Sequence, residues 1–318
     1  MAEPCITDKR SAYIALAFGV IIVSSSSIIT RYAQAEGVSS LSIAAIRLAL
    51  ASVLLAPFAL VRCSAELRSL TRRDLLLGIA AGGLLAAHFA SWISSLAYTS
   101  VASSTALVTT NPIWIAAASV VLFHERMRKG LIVAIVFALC GSLLIFLADG
   151  GSGRTQPDPP LGNALALVGS LAVSGYLLIG RSLRRRWSLL AYIWIVYASA
   201  AAVLVLVALA AREPLWGFAP ATWALLLALA LGPQLMGHTV FNWALKQMSA
   251  TYIALAILGE PVGSAVLALL LFDEGFSGMQ ISGFALLLCG IYIGARSEQG
   301  NSHAAAVEIV PSKNSVDE

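Results

Sequence analysis

Charge is scarce in this chain of 318 residues: Asp, Glu, Lys and Arg make up 11% of it, against 59% hydrophobic residues and a mean hydropathy of +0.86. A water-soluble domain of that composition would carry far more apolar surface than it could bury, which excludes a soluble fold. Cysteine is equally sparse. Cys5, Cys63, Cys140 and Cys289 form no C-x-x-C pair and imply neither a metal site nor a disulfide framework. His124-Glu125-Arg126-Met127-Arg128 lacks the second histidine that a zinc protease places on the same helix face. Neither a nucleotide-binding glycine loop nor a Gly-x-Ser-x-Gly elbow occurs, so no cofactor is expected and no enzyme signature is present. The net charge of +4 raises nucleic acid as a partner, yet the basic residues stand in short segments between apolar runs and not in a patch interleaved with aromatics.

What is present is a series of long apolar runs. At roughly 20 residues per membrane crossing, ten spans are expected: 12–32, 42–61, 75–96, 102–123, 130–148, 162–180, 189–210, 221–243, 251–272 and 279–295. With the N-terminus inside, the inner segments hold Lys9, Arg10, Arg62, Arg68, Arg72, Arg73, Arg126, Arg128, Lys129, Arg181, Arg184, Arg185, Arg186, Lys246 and Arg296. The outer side holds Arg31, Arg154 and Arg212. Excess Lys and Arg marks the cytoplasmic face, so both termini are expected there, in a bacterial inner membrane. A competing reading takes Lys9-Arg10, the apolar run and Ala33-Gln34-Ala35 as a cleavable signal peptide. The run is long for that purpose and Arg31 stands just before the supposed cleavage site, so the segment is read as the first span.

The second half repeats the first. Phe137-Ala138-Leu139-Cys140-Gly141 returns as Leu286-Leu287-Leu288-Cys289-Gly290, Pro112 as Pro261 and Phe123-x-Glu125 as Phe272-x-Glu274, 149 positions on in each case (140 to 289, 112 to 261, 125 to 274). Five spans per copy would set the copies upside down relative to each other, as in many transporters. The expected organisation is a cytoplasmic N-terminus (1–11), a first repeat (12–148), an external linker (149–161), a second repeat (162–296) and a disordered cytoplasmic tail (297–318). The fold class expected is thus all-α membrane, ten transmembrane helices as two inverted five-helix repeats.

Leu258-Gly259-Glu260-Pro261 with the run to Phe272-Asp273-Glu274, Asn111-Pro112 with the run to Phe123-His124-Glu125, and Arg47 early in the second span resemble the EamA-type branch of the drug/metabolite transporter superfamily. The resemblance covers about residues 12–296. It implies a transporter with a central cavity lined mainly by spans 1, 3, 4, 6, 8 and 9, with the fifth and tenth peripheral. At Ser24-Ser25-Ser26-Ser27 the chain departs from the Trp-Gly pair of many members.

The repeat nominates candidates for function. Pro112 and Pro261 remove a backbone hydrogen bond inside spans 4 and 9 and would hinge both, or kink them statically. Glu260 occupies the position matching Asn111. A carboxylate facing lipid there would cost several kcal/mol, so it is expected to face the bundle, binding a cation, carrying a coupling proton or neutralising Arg47 in a structural pair. Snorkelling of Arg47 to the outer surface is the other reading. His88 and His238 fall at nearly matching positions. The stripes His88-Ser91-Trp92-Ser95 and His238-Phe241-Asn242-Leu245 would wall a pocket, relay protons, or satisfy each other between helices. Ser24, Ser27, Tyr176 and Trp114 are further candidates for lining, against self-bonding hydroxyls and plain packing. Glu125 and Glu274 are read as boundary charges, and Gly290-x-x-x-Gly294 as a homodimer seam or an internal contact.

These readings converge on a secondary active transporter of small organic metabolites, amino acids or related amphipathic solutes, exporting by alternating access with Glu260, His88 and His238 as proton-coupling candidates. The expected partners are a small-molecule substrate, the lipid bilayer and protons, without nucleic acid. An uncoupled facilitator or exchanger is the alternative. A membrane enzyme on a lipid-linked substrate, or a non-transporting scaffold, belongs to another class.

Overall fold

The computed structural model describes residues 9–99, 101–123, 127, 129–149, 157–272 and 277–308, and every regular element among them is helical. In hydrocarbon each backbone N–H and C=O has to be satisfied within its own segment, which leaves apolar runs of this length the helix as their form. In chain order the helices are α1 (Lys9–Ala35), α2 (Ser40–Arg62), α3 (Ser64–Ser69), α4 (Arg72–Tyr98), α5 (Val101–Val108), α6 (Asn111–Phe123), α7 (Lys129–Asp149), α8 (Pro159–Arg184), α9 (Leu189–Ala210), α10 (Pro220–Leu229), a π-helical segment (Ala230–His238), α11 (Thr239–Ala244), α12 (Ala250–Ile257), α13 (Glu260–Phe272) and α14 (Gly278–Glu308). Their starts are written locally. Ser39, Thr71, Ser188 and Ser249 each accept from the backbone N–H three residues on, at 3.1–3.3 Å, and so cap α2, α4, α9 and α12. Asp158 does the same for α8, with Pro159 and Pro160 opening the helix.

Eight helices among the described residues are long and apolar enough to cross a membrane, and Lys129–Ile145 is a shorter apolar helix. The expected fourth span is not one rod: α5 and α6 run end to end across a turn at Thr109-Thr110. The ninth breaks in the same way, α12 and α13 meeting at Leu258-Gly259. The eighth is interrupted by the π-helical segment around Pro233, whose missing N–H and ring displace the normal ladder. The last helix runs to Glu308, into the stretch expected as tail, while Glu125, Glu274 and residues 150–156 of the linker lie outside the described residues.

Packing follows the repeat. α4 lies against α8, and α1 against α10, the π-helical segment and α11; α5 and α6 contact α8, and α12 and α13 contact α1. α2 pairs with α9 and α7 with α14. Exchanging the two halves maps each of these contacts onto another in the set, so the molecule has a pseudo-two-fold arrangement. Close approach is set by glycine. A Cβ on Gly141 would stand 2.5 Å from Gly283 O, and one on Gly290 2.7 Å from Ala134 O. Gly290 is therefore consumed by α7, and Gly294 faces Leu255 of α12, so this pair is an internal contact and not a seam for a second copy. Outward faces carry Val61, Leu206 and Leu270, exposed by 78%, 67% and 73%, a surface suited to hydrocarbon. One end joins the repeats through Glu66, whose carboxylate accepts from Ser188 N–H at 2.7 Å and Ser188 Oγ at 2.5 Å, beside an Arg186–Asp74 ion pair at 2.9 Å.

Candidate functional site

The two helix breaks put matched residues at one place. Thr110 N–H donates to Leu107 O at 3.2 Å, and Gly259 N–H, 149 positions later, to Ala256 O at 3.0 Å, so each break is the same tight turn. Pro112 and Pro261 are then second residues of α6 and α13, where a missing N–H leaves no intrahelical bond unmade. The expected kinks inside continuous spans are in fact starts of half-helices. Asn111 and Glu260 stand first in them, 1% and 6% exposed.

Each half-helix is clasped by a serine from the other repeat. Ser24 Oγ of α1 lies 2.7 Å from Val20 O and 3.3 Å from Glu260 O. Ser174 Oγ of α8 lies 2.7 Å from Ser170 O and 3.4 Å from Asn111 O. Ser27 Oγ donates to Ser264 Oγ at 3.3 Å, and Ser264 Oγ donates to Ser24 O at 3.0 Å. Ser24 and Ser27 thus seat α1 on α13 and are absent from the cavity wall, because the small residue Gly263 lets α1 approach so closely.

Six of the residues singled out from the sequence, His88, Trp92, Asn111, Tyr176, His238 and Glu260, line one cavity, together with Val23, Val108, Thr109, Val173, Leu177, Phe241 and Ile257. It is a partly open cavity with mainly apolar walls and polar groups from both repeats. The rings form a cluster: His88 and Trp92 stack at 6.1 Å, and Phe89 meets His238 edge-on at 5.3 Å. Asn242 lies behind this wall. Its side chain accepts from Tyr176 and donates to Tyr197 at 3.3 Å, and its carbonyl accepts from Arg184 at 3.0 Å. Trp114 packs half-buried away from the cavity. Ser91 and Ser95 return their hydroxyls to α4's own carbonyls, at 2.7 Å each.

Arg47 is not paired with Glu260. The guanidinium donates to Gln234 Oε1 at 3.0 Å and Ser26 Oγ at 2.8 Å and lies 4.3 Å from the Phe89 ring centre. Fully buried, it does not snorkel either. The π-helical turn after Pro233 is what delivers Gln234 to it; a lone polar residue beside a proline in an apolar span was the available signal. The apolar lining gave none, since Val23 or Ile257 reads like any other core residue. Among the described residues the Glu260 carboxylate makes no hydrogen bond or ion pair, and Asn111 Oδ1, Trp92 Nε1, Arg47 Nη2 and Gln234 Nε2 are buried without a partner.

The profile of the EamA-like transporter family matches residues 10–147 and again residues 160–295. The chain belongs to the EamA-like transporter family. It is similar to "Uncharacterized transporter YetK" of Bacillus subtilis (strain 168), 23% identical over 314 residues, covering 95% of this chain and 92% of that protein. A solved crystal structure of a protein shares the fold with a TM-score of 0.73 at 20% identity, over 91% of this chain and 98% of the other. This EamA-family protein is accordingly a multi-pass membrane transporter, handling a small molecule across a bilayer.

Proposed function

We propose that this transporter is a secondary active exporter of small organic metabolites, amino acids or related amphipathic solutes, working by alternating access in a bacterial inner membrane with both termini cytoplasmic. The observation that carries the reading is the placement of Asn111 and Glu260, matching residues of the two repeats, at paired helix breaks on one cavity wall. Each broken helix leaves a half-helix, α6 or α13, free to swing about its turn. Movement of one half-helix would open one side of the membrane, and movement of its counterpart the other. Aromatic walls and a few polar groups suit an amphipathic solute. The chain has no nucleotide-binding loop, and a gradient would supply the energy, with Glu260, His88 and His238 as groups that carry protons. No catalytic step is assigned to them. The distribution of Lys and Arg supports the orientation.

The test is uptake and counterflow in proteoliposomes with a pH step and a metabolite panel. Glu260→Gln is expected to abolish pH-driven flux. Unchanged pH-driven flux in that variant removes the proton role, and counterflow without any response to a pH step in the wild type favours the uncoupled exchanger.

A further inference from the structure

We propose that the cavity takes its solute by a primary ammonium group, received by Asn111, Glu260 and His88. This deepens the transport reading and rests on its cavity. His88 Nδ1 lies 2.9 Å from Gly169 O. A carbonyl oxygen can only accept, so Nδ1 carries the hydrogen, and in the neutral ring Nε2 is then an acceptor. Asn111 Oδ1 is a buried acceptor with no partner among the described residues. The Glu260 carboxylate, equally without a hydrogen bond among them, adds acceptor oxygens from the opposite repeat. Three acceptors from three helices, α4, α6 and α13, thus share one cavity.

Two hydroxyls on the same wall are already engaged: Tyr176 donates to Asn242, and Thr109 Oγ1 donates to Thr105 O at 2.6 Å. Acceptors left unmet on a buried wall are matched by a guest that brings N–H donors, because a buried acceptor without a hydrogen bond is costly. An –NH₃⁺ group offers three such donors and neutralises the Glu260 carboxylate. Trp92 and Phe241, with Val23, Val108 and Ile257, would meet the apolar remainder once the cavity widens.

The experiment compares three probes of one skeleton, 2-phenylethylamine, its N,N,N-trimethyl derivative and 2-phenylethanol, by thermal-shift binding to the detergent-purified full-length protein and by competition in counterflow. The amine is expected to bind about tenfold or more tightly than either analogue. Glu260→Gln and Asn111→Leu are expected to lose that preference, and Asn111→Asp, which keeps the acceptor, to retain it. Equal affinities for the three probes, or a preference unmoved in Asn111→Leu and Glu260→Gln variants that elute and melt like the wild type, overturn the proposal. Amine-selective binding without counterflow of any solute would leave the ammonium site standing and remove the transport mechanism instead.

Discussion

Arg47 shows how a single residue can be held in the apolar middle of this fold without an ion pair among the described residues. Its guanidinium is distributed over a neutral amide, a hydroxyl and the face of Phe89. Hydrogen bonds to a charged group contribute about 1.5–3 kcal/mol each, more than bonds between neutral partners. Gln234→Leu removes the amide and leaves the cation with one fewer acceptor. That variant is expected to lose about 1.5–3 kcal/mol of stability, read as a lowered midpoint of unfolding in detergent. An unchanged midpoint would mean that the Arg47–Gln234 contact contributes nothing net. Glu260 is the opposite case, a carboxylate that the described residues leave without a hydrogen bond on a cavity wall, and for that reason it is the residue to which both the coupling and the ammonium tests are addressed.

At the scale of elements, the half-helices α6 and α13 are the moving parts of the proposed cycle, and the serine clasps bear on them directly. Ser24 holds the carbonyl at the start of α13, and Ser174 holds the carbonyl at the start of α6. Each clasp is the longer arm of a shared hydrogen bond, since the serine's one proton also serves its own helix at 2.7 Å, and contributes about 0.5 kcal/mol, enough to shift a two-state equilibrium about twofold. Because the repeats are inverted in the proposed mechanism, Ser24→Ala and Ser174→Ala are expected to shift the balance between inward-open and outward-open forms in opposite senses, with the double variant near the wild type. Labelling of a single cysteine at the cavity mouth by impermeant maleimide, from each side of the membrane, measures the balance. Shifts in the same direction would contradict hinges that oppose one another. α7 and α14 are held to each other by glycine-mediated contact between backbones and pack on α5 and α12, the other halves of the broken helices.

For the molecule as a whole, the orientation of the bundle is set by its charges. The loop after α9 carries Trp216, 72% exposed, and α3, between α2 and α4, carries Arg68, with Arg62 ending α2 and Arg72 and Arg73 opening α4. With both termini cytoplasmic, Trp216→Cys in a background without other cysteines is expected to react with an impermeant maleimide on intact cells, and Arg68→Cys only after permeabilisation. The reverse pattern would invert the topology and with it the direction assigned to export. The link between Glu66 and Ser188 lies at the same end as Arg68 and joins the two repeats. In the proposed topology that junction faces the cytoplasm.

Composition by itself determined that this chain lives in a bilayer, since so few charges cannot solvate so much apolar surface, and the internal repeat by itself paired Pro112 with Pro261 and Asn111 with Glu260. His88, Trp92, Tyr176 and His238 were legible for a related reason: a polar or aromatic stripe in an apolar span has to face protein or water. Only the tertiary structure decided that the prolines open half-helices instead of kinking whole ones, that the serines of α1 clasp α13 instead of lining the cavity, and that Arg47 meets Gln234 and not Glu260. These outcomes depend on which helix faces meet and on how the π-helical turn rotates the residues after Pro233, and no local pattern encodes a contact between residues 187 positions apart.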